Sequence, residues 1–132
     1  MASIFTQIIN RQLPAHIIAE NEYCIAFLDI HPLAQGHTLV IPKLEIDYVF
    51  DLPDSILSQM FLFAKKVSKG IQEVISCARI GMAVVGLDVP HAHLHLIPLN
   101  KASDINFNKE PLSYTQEELA SIAQSIRLHI LI

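Results

Sequence analysis

Three histidines fall within five residues, His91, His93 and His95, in the run His91-Ala92-His93-Leu94-His95-Leu96-Ile97. On an extended strand alternate residues share a face, so this spacing predicts three imidazoles in a row, about 6.7 Å apart. Ala92, Leu94 and Leu96 would then turn the other way, into a core under a long helix. A row of imidazoles supports two kinds of chemistry. Neutral imidazole is the commonest zinc ligand, and two histidines from one strand, completed by ligands elsewhere, would suit a catalytic metal. Alternatively one ring is a nucleophile. Histidine has an ordinary pKa of ~6.5, so it is mostly neutral at pH 7, and its free nitrogen can attack phosphorus without a metal. Its neighbours would then orient it and move protons. The triad residues alone leave both readings open. A plain polar outer face is the bland reading, and three repeats of a scarce residue weigh against it.

The elements that must hold this row are legible around it. Residues 3–9 read as a short helix, stopped before Pro14. Residues 17–19 and 23–29 read as strands joined across Glu20-Asn21-Glu22, and the loop after them is broken by Pro32 and Gly36. A third strand covers 37–41 and ends at Pro42. From Asp54, a good N-cap type, to Cys77, apolar residues recur at steps of three and four (Leu57, Ala64, Val67, Ile71, Val74) opposite Lys65, Lys66 and Lys69. That predicts a helix of about 24 residues, roughly 36 Å long. Residues 80–85 and 90–98 read as a strand pair around Gly86-Leu87-Asp88. Residues 101–111 look irregular, and Thr115 with Glu117 and Glu118 opens a last helix reaching about residue 129. Mostly consecutive strands with one long crossover helix predict an α+β fold, an antiparallel sheet with one long helix and shorter N- and C-terminal helices.

Composition sets the outer bounds. The chain has 132 residues, 52% of them hydrophobic and 17% charged, which fits one domain (1–132) and excludes intrinsic disorder. Mean hydropathy is +0.39, yet no apolar run approaches the ~18 residues of a membrane-spanning helix. Residues 1–5 lack the basic region of a signal peptide, so a cytoplasmic protein is expected. Nine Lys+Arg against thirteen Asp+Glu give a net charge of −4, with no basic face for nucleic acid. Cys24 and Cys77 read as reduced core thiols, not a disulfide or a metal pair.

The triad followed by Leu96-Ile97-Pro98 has company. Ile4-Phe5-Thr6-Gln7-Ile8-Ile9, Leu13-Pro14-Ala15, residues 26–32 (AFLDIHP) and residues 35–43 (QGHTLVIPK) stand in fixed order before it. Over about residues 3–98 the chain resembles the histidine triad (HIT) family of nucleotidyl hydrolases and transferases. The resemblance implies that family's α+β fold, a homodimer and a purine nucleotide substrate, either a nucleoside phosphoramidate or a dinucleoside polyphosphate. It implies no required cofactor. His93 is then the nucleophile that attacks the α-phosphorus and forms a nucleotidyl-imidazole. His95 hydrogen-bonds the α-phosphate oxygens, and His91 and His37 orient His93 and relay protons. Asp29 accepts from the ribose hydroxyls, while Phe5, Ile8 and Ile30 wall the base pocket. His16, His31 and His129 carry no motif support.

Two departures matter. The family usually carries Gln and Ser or Thr just before the triad, as donors to phosphate, where this chain has Leu87 and Asp88; an upstream Asn is replaced by Ile80. Leu87 cannot donate, and an ionised Asp88 either repels phosphate or holds a divalent cation carried by a polyphosphate. Reduced turnover of the usual phosphoramidates is therefore expected. The alternatives are a nucleotide-binding sensor or adaptor with little turnover, and a metal-dependent hydrolase using the histidine row. Some members also hold a structural zinc through Cys-x-x-Cys, a His and the first triad His. Ser3, Thr6 and Glu45 occupy the matching positions, so no structural zinc is expected.

Overall fold

Apolar-rich segments give five strands: β1 Ile17–Glu20, β2 Cys24–Leu28, β3 Thr38–Pro42, β4 Arg79–Ala83 and β5 Leu94–Leu99. In the computed structural model, which describes residues 2–130, they pair antiparallel in one sheet ordered β1-β2-β3-β5-β4. Three helices flank it, α1 Ile4–Ile9, α2 Asp54–Val74 and α3 Gln116–Arg127, with 3-10 turns at Val49–Asp51 and Ala102–Asp104. The α+β sheet with one long and two shorter helices is the architecture the sequence predicts.

Register shows how both sheet faces are used. Ala26 lies opposite Val40 and Val40 opposite Leu94. This face packs on Met60, Phe63, Val67 and Ile71 of α2 and on Leu119 and Ile126 of α3. Phe27, Leu39 and His95 form the next row across the same strands, on the opposite face. There Ile25, Phe27, Leu39 and Ile41 meet Phe5 and Ile8 of α1. The middle strands are buried on both faces, which is why their sequences read as continuous apolar runs. Cys24 lies in the core, where burial pushes its thiol up to about 11. Among the described residues no helix is long and apolar enough to cross a membrane.

Several boundaries differ from the expected ones, each for a local reason. Pro53, not Asp54, is the N-cap of α2; Asp54 sits in the first turn, where a carboxylate favours the helix dipole. The helix stops at Val74 because Ile75 is extended, at φ −102° and ψ 121°. The strand expected over 90–98 begins only at Leu94. Pro90 has no amide hydrogen, His91 N–H bonds back to Val89 O at 2.8 Å, and Ala92 N–H goes to Ile46 O at 2.7 Å. None of these groups joins the ladder. The Thr115 cap is as expected, with Thr115 Oγ1 and the Glu118 carboxylate bonding each other's backbone amides.

Gly36 sets the chain direction into His37. It has φ +87°, and a Cβ there would lie 2.9 Å from Ile75 Cγ1. Gly36→Ala is expected to destabilise the protein by about 1–2 kcal/mol from backbone strain alone. A urea unfolding midpoint measures this, and an unchanged midpoint would contradict it.

Candidate active site

The site forms where the irregular segment before β5 meets α1 and the end of β2. His93 Nδ1 lies 2.7 Å from the His91 carbonyl oxygen. A carbonyl only accepts, so Nδ1 carries the proton and, in the neutral ring, Nε2 keeps its lone pair. The ring is held edge-on between Phe5 and His95, with centroids 5.1 Å away on either side.

His95 is fixed by a second chain of hydrogen bonds. Leu33 N–H donates to His37 Nδ1 at 3.0 Å, so the proton of neutral His37 is on Nε2. That proton points to His95 Nδ1 at 2.9 Å, which leaves His95 protonated at Nε2. One backbone amide thereby sets the tautomers of two imidazoles. Burial pushes both rings toward neutrality: His37 is lowered, and His95 is lowered to about 4, with His37 and His93 adding to the effect. Asp29 Oδ2, 3.5 Å from His37 Nε2, faces a ring that is neutral at pH 7. Its Oδ1 accepts His31 N–H at 2.8 Å, which closes the turn after β2.

The depressed pKa of His95 has a consequence for stability. Between about 6.5 and 4 the unfolded chain binds a proton that the folded chain refuses, so stability is full above 6.5 and falls as pH drops toward 4. His95 alone is expected to cost about 2 kcal/mol between pH 6.5 and pH 5. His91, also lowered by burial, acts in the same sense. Urea titrations at the two pH values test this, and equal unfolding free energies would contradict it.

The three rings keep to the face that alternation predicts, with Phe5 of α1 meeting both His91 and His93 and with Ala92, Leu94 and Leu96 in the core on the other side, although ladder pairing begins only at Leu94. His91 is fully buried and turned under α1. Its Nε2–H donates to Pro42 O at 2.8 Å, and its Nδ1 accepts from Ser3 Oγ at 2.8 Å. Its contact with His93 runs through the main-chain carbonyl, whereas His37 reaches His95 and not His93.

A cleft of about 520 Å³ opens beside these rings. Of the residues the sequence nominates, Phe5, Ile8, Asp29, Ile30, His37, Asp88, His93 and His95 line it, and His91 does not. Leu87 stands at its rim, 86% exposed. Phe107, whose ring meets His95 edge-on at 4.9 Å, and Lys109 also line the cleft, and no motif points to either. Both lie in an irregular stretch with no periodicity to flag them.

A protein-family model described as the HIT domain matches residues 10–102. The chain belongs to the histidine triad family. Protein hit of Bacillus subtilis is 32% identical over 133 residues, covering 93% of this chain and 90% of that one. The adenosine 5'-monophosphoramidase of Saccharomyces cerevisiae is 36% identical over 98 residues, covering 74% of this chain and 62% of that protein. The asymmetrical bis(5'-nucleosyl)-tetraphosphatase of Schizosaccharomyces pombe is 34% identical over 98 residues, covering 70% of this chain and 52% of its own length. Among solved structures, a Hit-like protein from Bartonella henselae superposes with a TM-score of 0.85 at 27% identity, covering 97% of this chain and 96% of that chain. A Zn-bound histidine triad family protein from Mycobacterium smegmatis gives 0.80 at 26% identity, covering 97% and 94%.

In this histidine triad protein the positions matched to zinc ligands have a different chemistry. Ser3 N–H and Thr6 Oγ1–H both donate to Glu45 Oε1, at 2.8 and 2.5 Å, while Ser3 Oγ engages His91. Two hydroxyls, a carboxylate and an imidazole, already joined to one another, do not fit a structural zinc, which takes thiolates and imidazoles.

Proposed function

We propose that this histidine triad protein cleaves or transfers a nucleoside monophosphate at the α-phosphorus of a purine nucleoside phosphoramidate or dinucleoside polyphosphate, through a nucleotidyl-His93. The observation that carries this is the His93 tautomer: Nδ1–H is held by the His91 carbonyl, and the lone pair of Nε2 belongs to a ring lining the cleft. Nε2 attacks phosphorus, a P–N bond forms, and the bond from phosphorus to the leaving nitrogen or oxygen breaks. The positive charge on the imidazole is stabilised by the 2.7 Å bond to the carbonyl. Water or another acceptor then attacks the same phosphorus and frees Nε2. His95 Nε2–H serves as a donor to a phosphate oxygen as charge grows there. Phe5, Ile8 and Ile30 wall the base pocket, and Asp29 keeps lone pairs for ribose hydroxyls. The monophosphoramidase and tetraphosphatase among its relatives support this substrate class.

A metal-dependent hydrolase is less well supported. Asp29, His37 and His95 bring ligand atoms within 4.8 Å of one another, but the nitrogen that His37 would offer carries the proton directed to His95. Leu87 and Asp88 at the mouth favour the second reading, a nucleotide sensor with little turnover. We also propose a homodimer through the β4 edge and α2, where Met82, Phe61 and Leu62 are exposed.

Rapid quench followed by mass spectrometry tests the enzyme reading. AMP on the peptide carrying His93 is expected during turnover of adenosine phosphoramidate or diadenosine tetraphosphate. Turnover without any such adduct would overturn the covalent route.

A further inference from the structure

The family match ends at residue 102, and the chain beyond it returns to the cleft as a strap. Its start is pinned by the Asp104 carboxylate, which accepts from Asn100 N–H and Lys101 N–H at 2.8 and 3.0 Å. Ile105 lies over Gly81, where a Cβ would come within 2.6 Å of Ile105 Cδ1. A tight turn follows: Asn106 Oδ1 accepts Asn108 N–H at 3.0 Å, and Asn106 O accepts Lys109 N–H at 3.2 Å. The far end is tied by Leu112 N–H to Pro32 O at 2.8 Å. Pro32 directly precedes the amide that sets the His37 tautomer. Between these anchors stand Phe107, against His95, and Lys109.

Charge gives Lys109 its meaning. Asp29 and Asp88 bring carboxylates to the cleft, and burial keeps His37 and His95 neutral. Among the described residues Lys109 is the sole Lys or Arg lining it, and no carboxylate there approaches its ammonium within ion-pair distance. Leu87 offers no donor and Asp88 repels phosphate. A nucleotide brings one or two negative charges into this space, and a polyphosphate brings more.

We infer that Lys109 is the anion receptor of the cleft, and that it selects substrates whose leaving group is a phosphate over those whose leaving group is an amine. The inference rests on the proposed reaction at His93. When a phosphate leaves, negative charge grows on the bridging oxygen as the P–O bond breaks, and a nearby ammonium stabilises it. When an amine leaves, the nitrogen takes a proton from solvent water as the P–N bond breaks, and a nearby ammonium opposes the positive charge that forms there.

The test compares wild type, Lys109→Ala and Lys109→Arg on two substrates, diadenosine tetraphosphate and adenosine 5'-phosphoramidate. Calorimetric binding of ADP and AMP accompanies it. Lys109→Ala is expected to lower the ratio of kcat/KM, tetraphosphate over phosphoramidate, by about tenfold or more, and to lower the ADP-over-AMP binding preference in the same direction. Lys109→Arg is expected to hold the kcat/KM ratio within about threefold of wild type. A ratio unchanged in Lys109→Ala, with both substrates affected equally or not at all, overturns the inference. If wild type cleaves neither substrate yet binds both nucleotides, the reaction at His93 fails. Lys109 is then judged on the binding preference alone, kept or lost in Lys109→Ala. No binding of either nucleotide overturns both.

Discussion

Replacing His93 with Asn is expected to lower kcat by about 10⁴-fold or more and to leave AMP affinity within about threefold of wild type. The asymmetry follows from the two nitrogens of one ring. The Asn side-chain amide keeps an N–H near the place of Nδ1, able to donate to the His91 carbonyl that holds His93 at 2.7 Å. It has nothing at the place of Nε2. The hydrogen bond that positions the side chain therefore survives while the nucleophile is lost. Phe5 and His95, whose rings flank His93 at 5.1 Å, stay where their own partners hold them. The quenched-flow adduct should disappear together with turnover. Turnover within about tenfold of wild type, with AMP still bound, would show that another group attacks phosphorus.

What the sequence conveys and what it hides differ by the range of the interactions involved. The buried face of α2 is legible because Met60, Ala64, Val67 and Ile71 repeat at helical spacing and pack on one sheet face. The apolar partners of the triad are legible too, since Leu94 and Leu96 alternate with His95 on a true strand. The ladder is lost two residues earlier, though Ala92 still points into the same core as Leu94 and Leu96. The Ala92 amide is taken by Ile46, more than forty positions away, and no local pattern announces that pairing. The inward turn of His91 depends likewise on Ser3, 88 residues distant. Phe107 and Lys109 reach the cleft on a strap whose position is set by its bond to Pro32 and by the absence of a side chain at Gly81. A backbone amide is the least visible of all. Leu33 looks like a loop apolar residue, and its N–H fixes the proton positions on His37 and His95.

That amide makes His37 the second place where a large effect is expected. In His37→Ala, His95 Nδ1 loses the donor at 2.9 Å that keeps its proton on Nε2. The ring is then free to carry its proton on Nδ1 and to present a lone pair where a phosphate oxygen should meet a donor. A lone pair facing an anion repels it. Losing one such donor typically costs 10²–10³-fold, so kcat is expected to fall by about that factor. The buried Leu33 N–H is also left unpaired, a cost of about 1–3 kcal/mol in folding stability. Two further measurements distinguish a tautomer effect from simple loosening. Removing His37 takes away one of the causes that depress His95, so stability should fall less steeply between pH 6.5 and pH 5 than in wild type. His37→Gln, whose amide can donate to His95, should recover about tenfold of the lost kcat. If His37→Ala instead turns over within about threefold of wild type, the orientation of His95 does not depend on this chain of bonds.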